Sequence, residues 1–345
     1  MQVAQIIPKK AVTVEHNWQK ELAMSFTDPL KLLEYLNLEV DKLGHHGDAR
    51  RLFPLRVPRH FASLMEKGNW QDPLLQQVMP LDSEFIHTPG FSDDPLEEHD
   101  TAAKGLLHKY QSRVLFIVRG GCAVNCRYCF RRHFPYGDNA VNRRQWEDAL
   151  AYIRQHPEVN EVIYSGGDPL MAKDDFLHWL TEQVAALPQI TRLRIHSRLP
   201  VVMPQRIDDA LVSWLTSTRL NMVLVLHINH ANEISPALAE RLHVLRKAGV
   251  TLLNQGVLLK GINDSADTQV ALSEALFEAG ILPYYLFMLD KVQGAAHFDV
   301  SETQARDIVR QMIKRLPGYL VPTLAREIGG QPGKTPVDLH LQPVG

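Results

Sequence analysis

Apolar positions fall into two patterns that alternate along the last two-thirds of the chain. Short runs rich in β-branched residues, at Val114–Val118, Glu161–Ser165, Arg192–His196, Met222–Ile228, Thr251–Val257 and Pro283–Leu289, predict strands. Longer stretches with apolar residues at helical spacing follow them, at Arg143–His156, Lys173–Leu187, Gln205–Ser217, Ser235–Ala248, Ser265–Ala279 and Ser301–Leu316. Strands separated by helices imply parallel pairing with right-handed crossovers. Six such β/α units make a TIM-like α/β barrel, (β/α)6, that stays open where eight would close it. Upstream, Leu30–Leu43 and Pro58–Lys67 read as helical, and Thr88–Glu98, with two prolines and scattered acids, reads as a loop. The expected organisation is a helical N-terminal extension (1–110), a partial barrel (111–318) and a short C-terminal segment (319–345).

Residues suited to chemistry sit just past the predicted strands. Cysteines follow the first, Ser165-Gly166-Gly167-Asp168-Pro169 the second, and His196-Ser197-Arg198 ends the third. His227 and Asn229 follow on the fourth, Asn254 and Gln255 on the fifth, and Asp290 ends the sixth. Any one of these also reads as an ordinary strand terminus, the lesser of the two readings. Together they point to one cavity at the carboxyl ends of the strands, where parallel α/β barrels place their sites.

Of the 345 residues, 45% are hydrophobic and 22% charged, and the formal charge of −2 comes from well-mixed signs. That balance argues against a nucleic-acid binder working through a broad basic surface. No apolar run approaches the roughly 18–20 residues of a membrane span. Met1–Lys10 lacks the long apolar core of a signal peptide, so a cytoplasmic protein is expected. The oligomeric state is left open.

The chain's three cysteines, Cys122, Cys126 and Cys129, lie within eight residues of one another. An odd, clustered set fits no closed disulfide framework and does fit a thiolate metal site in a reducing compartment. Three thiolates can hold three irons of a [4Fe–4S] cubane. The fourth iron then stays open to chelate the amino and carboxylate groups of S-adenosylmethionine (SAM). The C-x3-C-x2-C spacing, with Tyr128 before the last cysteine, resembles the radical SAM signature. The rival is zinc held by the cysteines and His133, in a non-catalytic interaction protein. Near the end, Glu327-Ile-Gly-Gly-Gln-Pro-Gly-Lys334-Thr-Pro has the look of a phosphate loop, but Ile328 stands where the first glycine is required. Lys334 is either a lysine carried into a cavity to bond pyridoxal 5′-phosphate (PLP) or a surface lysine on a flexible loop.

Taken together, Cys122/Cys126/Cys129, Arg131-Arg132, Ser165-Gly-Gly-Asp-Pro-Leu170, His227-Ile-Asn-His-Ala-Asn-Glu-Ile234, Asp290 with Gly294 and His297-Phe298, and Gly333-Lys-Thr-Pro-Val337 resemble lysine 2,3-aminomutase. The likeness runs from about residue 90 to 340. Phe130-Arg-Arg-His-Phe-Pro-Tyr136 and Ala325-Arg-Glu-Ile328 look like the branch that supplies (R)-β-lysine for modifying elongation factor P. The resemblance implies a [4Fe–4S] cluster on the three cysteines, SAM and PLP as cofactors, and Lys334 as the catalytic lysine on PLP. It places Tyr110 and Arg113 near the PLP phosphate. Gly166, Gly167, Asp168, Ser197, Arg198, His227 and Gln255 become SAM contacts. Arg131 is to bind the substrate carboxylate, and Asp290 with Glu327 the side-chain ammonium. It further implies free L-lysine as substrate, an external electron donor, and a functional link to elongation factor P and its lysyl-ligase. An aminomutase for another amino acid is the alternative within the same chemistry. One departure stands out: better-known members carry aspartate where this chain has Glu327. The zinc-binding cysteines by which those members extend further have no counterpart here, so no structural zinc is expected.

Overall fold

The computed structural model describes residues 18–40, 54–98, 102–137, 139 and 141–341. The expectations for Met1–Lys10 and for the last residues of the Leu30–Leu43 helix lie outside the described residues.

All six predicted β/α units are present. The helix labels used here are α1 (Trp18–Ala23), α2 (Pro29–Tyr35), α3 (Arg59–Ser63), α4 (Arg143–Arg154), α5 (Asp174–Ala185), α6 (Asp209–Thr216), α7 (Pro236–Lys247), α8 (Ala266–Glu278) and α9 (Glu302–Arg315). The strands are β1 (Leu106–Tyr110), β2 (Arg113–Arg119), β3 (Glu161–Gly166), β4 (Arg192–Ser197), β5 (Asn221–Leu226), β6 (Thr251–Val257), β7 (Leu282–Phe287), β8 (Thr323–Arg326) and β9 (Thr335–Pro336). One sheet carries them in the order of the chain. From β2 to β8 the pairing is parallel, and β1 and β9 add antiparallel edges.

The sheet therefore runs past the six predicted strands at both ends. β1 lies in the stretch expected to be helical, and β8 and β9 lie in the C-terminal segment. β8 is four residues long and β9 two, too short for a period to show. The N-terminal helices are shorter than their apolar spacing suggests. α2 starts after the Asp28 cap with Pro29 and stops at Tyr35, and α3 spans five residues. The predicted Gln205–Ser217 helix is split, because Pro204 opens a separate short turn and Asp208 caps a new start at α6.

The outer layer is held as the pattern requires. α4 begins with a capping box between Asn142 and Gln145 and buries Trp146, Ala149, Leu150 and Ile153, a 3–4 spacing that forms one stripe. Strand residues facing the helices, such as Val162, Tyr164, Leu193 and Ile195, are fully buried in the main core. The opposite faces alternate with them and are far more polar: Glu161 and Ser165 on β3, Arg194 and His196 on β4, and Gln255 on β6. A polar inner face cannot pack as an apolar core, so the barrel keeps a cavity.

Candidate active site

The cavity has a volume of about 1130 Å3 and opens at the carboxyl ends of the strands. Every residue assigned to a cofactor or substrate lines it: the three cysteines, Tyr110, Arg113, Arg131, Gly166, Gly167, Asp168, Ser197, Arg198, His227, Gln255, Asp290, Glu327 and Lys334. Asn229 and Asn254, also expected there, do not line it; they are buried and bond to backbone groups of neighbouring strand ends.

Cys122, Cys126 and Cys129 occupy the loop after β2, reduced and half-buried. Burial raises the Cys129 thiol to about 11, with Cys126 adding to it, and burial likewise pushes Cys122 up. A group of cationic irons would reverse that preference. The zinc alternative needs His133, but His133 lies on the outer side of the loop, 3.5 Å from the Asp93 carboxylate. Among the described residues no three His, Cys, Asp or Glu side chains converge on a single metal-ion position. Three half-buried cysteines on one loop that line one cavity suit a cubane, whose ligands bind separate irons.

The loop is fixed from below by the β3 turn. Gly166 has φ +118°, and a Cβ there would lie 2.4 Å from the Arg119 carbonyl oxygen. At Gly167 a Cβ would meet the Gly120 and Gly121 carbonyl oxygens at 2.7 and 2.8 Å. Both glycines thus serve a close approach of the chain to its own cysteine loop, sealed by amide bonds from Gly167 to Arg119 (2.7 Å) and from Asp168 to Gly121 (3.0 Å). Asp168 is buried and accepts four bonds, from Ser197 Oγ (2.8 Å) and the amides of Leu170, Arg198 and Leu199. Burial still raises its carboxyl above the ordinary value. The Asp168 carboxylate and the Ser197 hydroxyl are thereby committed to joining β3 to β4.

His227 stacks on Tyr128 with ring centroids 5.6 Å apart, and burial followed by the nearby Arg198 lowers its imidazole to about 3, so it is neutral. Its Nε2, and that of His196, are buried without a partner. Two unpartnered ring nitrogens on the wall of one cavity are the mark of a site that expects a polar ligand. Gln255 reaches His196 Nδ1 at 3.5 Å.

Across the cavity lies a strip of alternating charge. Arg131 is buried; Nε donates to Glu98 (2.6 Å), and NH1 donates to Ser165 Oγ (3.0 Å) and the Gly166 carbonyl (3.2 Å). Burial alone would raise Glu98, but Arg131 and Lys109 hold it below the usual carboxylate range. Lys109 lies 3.3 Å from Glu98 and 2.7 Å from Glu327. Tyr110 donates to Glu327 at 2.9 Å, and Arg113 stacks over the Tyr110 ring at 4.1 Å. Glu327 also pairs with the Lys334 amine. Burial lowers Lys334 to about 7, against the pull of Asp290, and raises Asp290 to about 6, against Lys334.

Sequence reasoning missed Glu98 and Lys109, and also Arg56, Gln77 and Glu84, which tie the N-terminal segment to the cysteine loop. Arg56 donates to the Cys122 carbonyl (3.1 Å), and buried Arg127 pairs with Glu84 (2.6 Å). Lys109 shows a faint signal, as a cation one residue before Tyr110. The others are set by long-range packing and leave no local trace.

A Radical SAM superfamily domain matches residues 116–268. L-lysine 2,3-aminomutase of Escherichia coli (strain K12) is 57% identical over 94% of this chain and 96% of its own length. The Haemophilus influenzae enzyme of the same name is 54% identical over 96% and 98%, and that of Clostridium subterminale 32% over 93% and 77%. Among solved structures, a radical SAM methyltransferase from Sphaerobacter thermophilus is similar with a TM-score of 0.47 and 17% identity, over 64% of this chain and 68% of that one. The chain belongs to the Radical SAM superfamily and, within it, to the L-lysine 2,3-aminomutase family, isomerases that work with a [4Fe–4S] cluster and SAM.

Proposed function

We propose that this lysine 2,3-aminomutase carries PLP on Lys334, converts L-α-lysine to (R)-β-lysine in the cytoplasm, and feeds a ligase that attaches the product to elongation factor P. The reading rests on one observation above all: the Lys334 amine and the Asp290 and Glu327 carboxylates share a single cavity with Cys122, Cys126 and Cys129. When bound, the reduced cluster and SAM supply a carbon radical, and PLP supplies a π system that tolerates an unpaired electron next to nitrogen.

The residues of the chain bind, orient and shield. Lys334, lowered to about 7, presents a neutral amine able to attack the PLP aldehyde near neutral pH. Arg113, braced on the Tyr110 ring, would supply the cation for the PLP phosphate. Arg131 meets the substrate carboxylate. With Nε and NH1 already donating, NH2 is the edge it offers. Asp290 and Glu327 receive the side-chain ammonium, which in a buried site needs a paired anion. Glu327 is one methylene longer than the aspartate of other members, and Lys109 and Tyr110 draw its carboxylate to one side. SAM would be held by the Gly166–Asp168 backbone, the Ser197 region, His227 and Gln255. Surface charge balance gives no footing for nucleic acid, and among the described residues no helix is long and apolar enough to cross a membrane.

The test is anaerobic incubation of reconstituted enzyme with SAM, PLP, a reductant and L-lysine, with chiral chromatography of the product and borohydride mapping of the PLP attachment. The expected result is (R)-β-lysine and a label on Lys334. A label elsewhere, or no β-lysine from fully loaded enzyme, overturns the proposal.

A further inference from the structure

The guanidinium of Arg198 is buried against the cysteine loop. NH1 donates to Cys126 Sγ (2.7 Å) and to Tyr128 Oη (2.6 Å), and NH2 donates to Gln77 Oε1 (2.7 Å) and Glu233 Oε2 (2.9 Å). Tyr128, which Arg198 also holds, bonds to the same cysteine. Four of the five guanidinium N–H groups are therefore spent within the protein, which leaves little for SAM.

The arginine is held at both ends. Its backbone amide donates to Asp168 Oδ2 (2.9 Å), so the β3 turn that seals the cysteine loop also fixes where the guanidinium starts. Behind it, Glu233 is fully buried and saturated by Arg198, Gln77 and the amides of Asn229 and His230. A positive charge that donates to a thiolate ligand favours the reduced, more negative cluster. A carboxylate behind that charge moderates the effect.

We propose that Arg198, backed by Glu233, sets the reduction potential of the cluster and so the driving force demanded of the electron donor. Arg198 is a positioning and tuning residue here, not a SAM ligand. The proposal rests on the three cysteines holding the cluster, which iron and sulfide analysis measures on its own.

The experiment is an EPR-monitored redox titration of the cluster-loaded enzyme, with SAM affinity measured in parallel. Glu233→Gln removes the moderating charge and should move the midpoint upward. The double variant Arg198→Met/Glu233→Gln removes both charges, so no buried charge is stranded, and should move it downward. A tenfold change in the reduced-to-oxidised ratio at fixed potential reads as about 59 mV. Opposite shifts are not what a merely structural role would produce. A midpoint unmoved in either variant, or weakened SAM binding with unmoved midpoints, overturns the proposal. One further measurement needs no substitution: in wild-type enzyme with 15N-labelled arginine, pulsed EPR of the reduced cluster should show 15N coupling that Arg198→Lys diminishes. Absence of that coupling in the wild type likewise overturns it.

Discussion

The amine of Lys334 is the place to test the electrostatics of the cavity, because only its neutral form attacks an aldehyde. At a value of about 7 the amine is half neutral at pH 7, where an ordinary lysine at 10.5 would be neutral in roughly one molecule in three thousand. Loading of PLP onto cofactor-free enzyme should therefore accelerate about fivefold from pH 6 to pH 7 and flatten above pH 8. Glu327 pairs with this amine and favours its ammonium form. Glu327→Gln removes that carboxylate, and loss of one neighbouring charge at this range is worth about 1–2 pH units. The loading midpoint should fall accordingly, so the variant loads faster than wild type at pH 6 even if it turns over poorly. Stopped-flow absorbance, with borohydride trapping as the end-point, measures both curves. A wild-type midpoint near 10, or an unchanged midpoint in Glu327→Gln, refutes the account of burial and pairing at this lysine.

Other outcomes follow from the same contacts. Asp290→Asn leaves the substrate ammonium with Glu327 alone and should cut kcat/KM for lysine about 30- to 5000-fold, from a cost of roughly 2–5 kcal/mol, with PLP loading retained; unchanged kcat/KM would remove Asp290 from the ammonium site. Gly167→Ala forces a methyl group onto the Gly120 and Gly121 carbonyls and should cost about 1–3 kcal/mol and lower iron content, whereas wild-type iron and melting temperature would show that the loop yields. Stability of cofactor-free enzyme should rise with pH between about 7 and 10.5, because the unfolded chain holds the Lys334 proton across that window while the folded chain does not. Lys334→Met should flatten the rise, as read by denaturant titrations at several pH values; an unaltered slope would contradict the depressed amine.

The strands were legible where the chemistry of position is strongest. Thr251–Val257 was read to the residue because Leu252 and Asn254 are buried between the half-buried Leu253 and Gln255, a period of two that any strand with one polar face must show. The cysteines stand out because few structures need three thiols in eight residues, whereas Lys334 stands out only through the family resemblance, since a lysine on a glycine-rich loop reads as readily as a surface residue. Glu98 and Lys109 were not, since nothing local separates a buried ion-paired glutamate from the acids scattered around it. Arg198 was placed at the right cavity wall, but its partners Gln77 and Glu233 come from segments 121 and 35 residues away. Sequence pattern fixes which wall a side chain lines; only packing decides whether its donors face the ligand or the protein.

The barrel's opening and its chemistry turn out to be one feature. A closed eight-stranded barrel satisfies its edges with backbone bonds and fills its interior with apolar layers. Here the sheet stays open, and side chains bridge the gap between β1 and the segment after β8: Lys109 and Tyr110 on one side, Glu327 and Lys334 on the other, with Glu98 and Arg131 extending the strip inward. Each member has its charge balanced by a neighbour, so the strip is tolerable when empty, and on the proposed reading each contact is one that substrate or PLP would share or displace. A hydrophobic seam would hold the edges together more tightly, but it would leave the buried ammonium and carboxylate of an amino acid without partners. On the proposed reading, the open edge is thus the structural condition for a cavity that would take an amino acid with a buried ammonium and carboxylate.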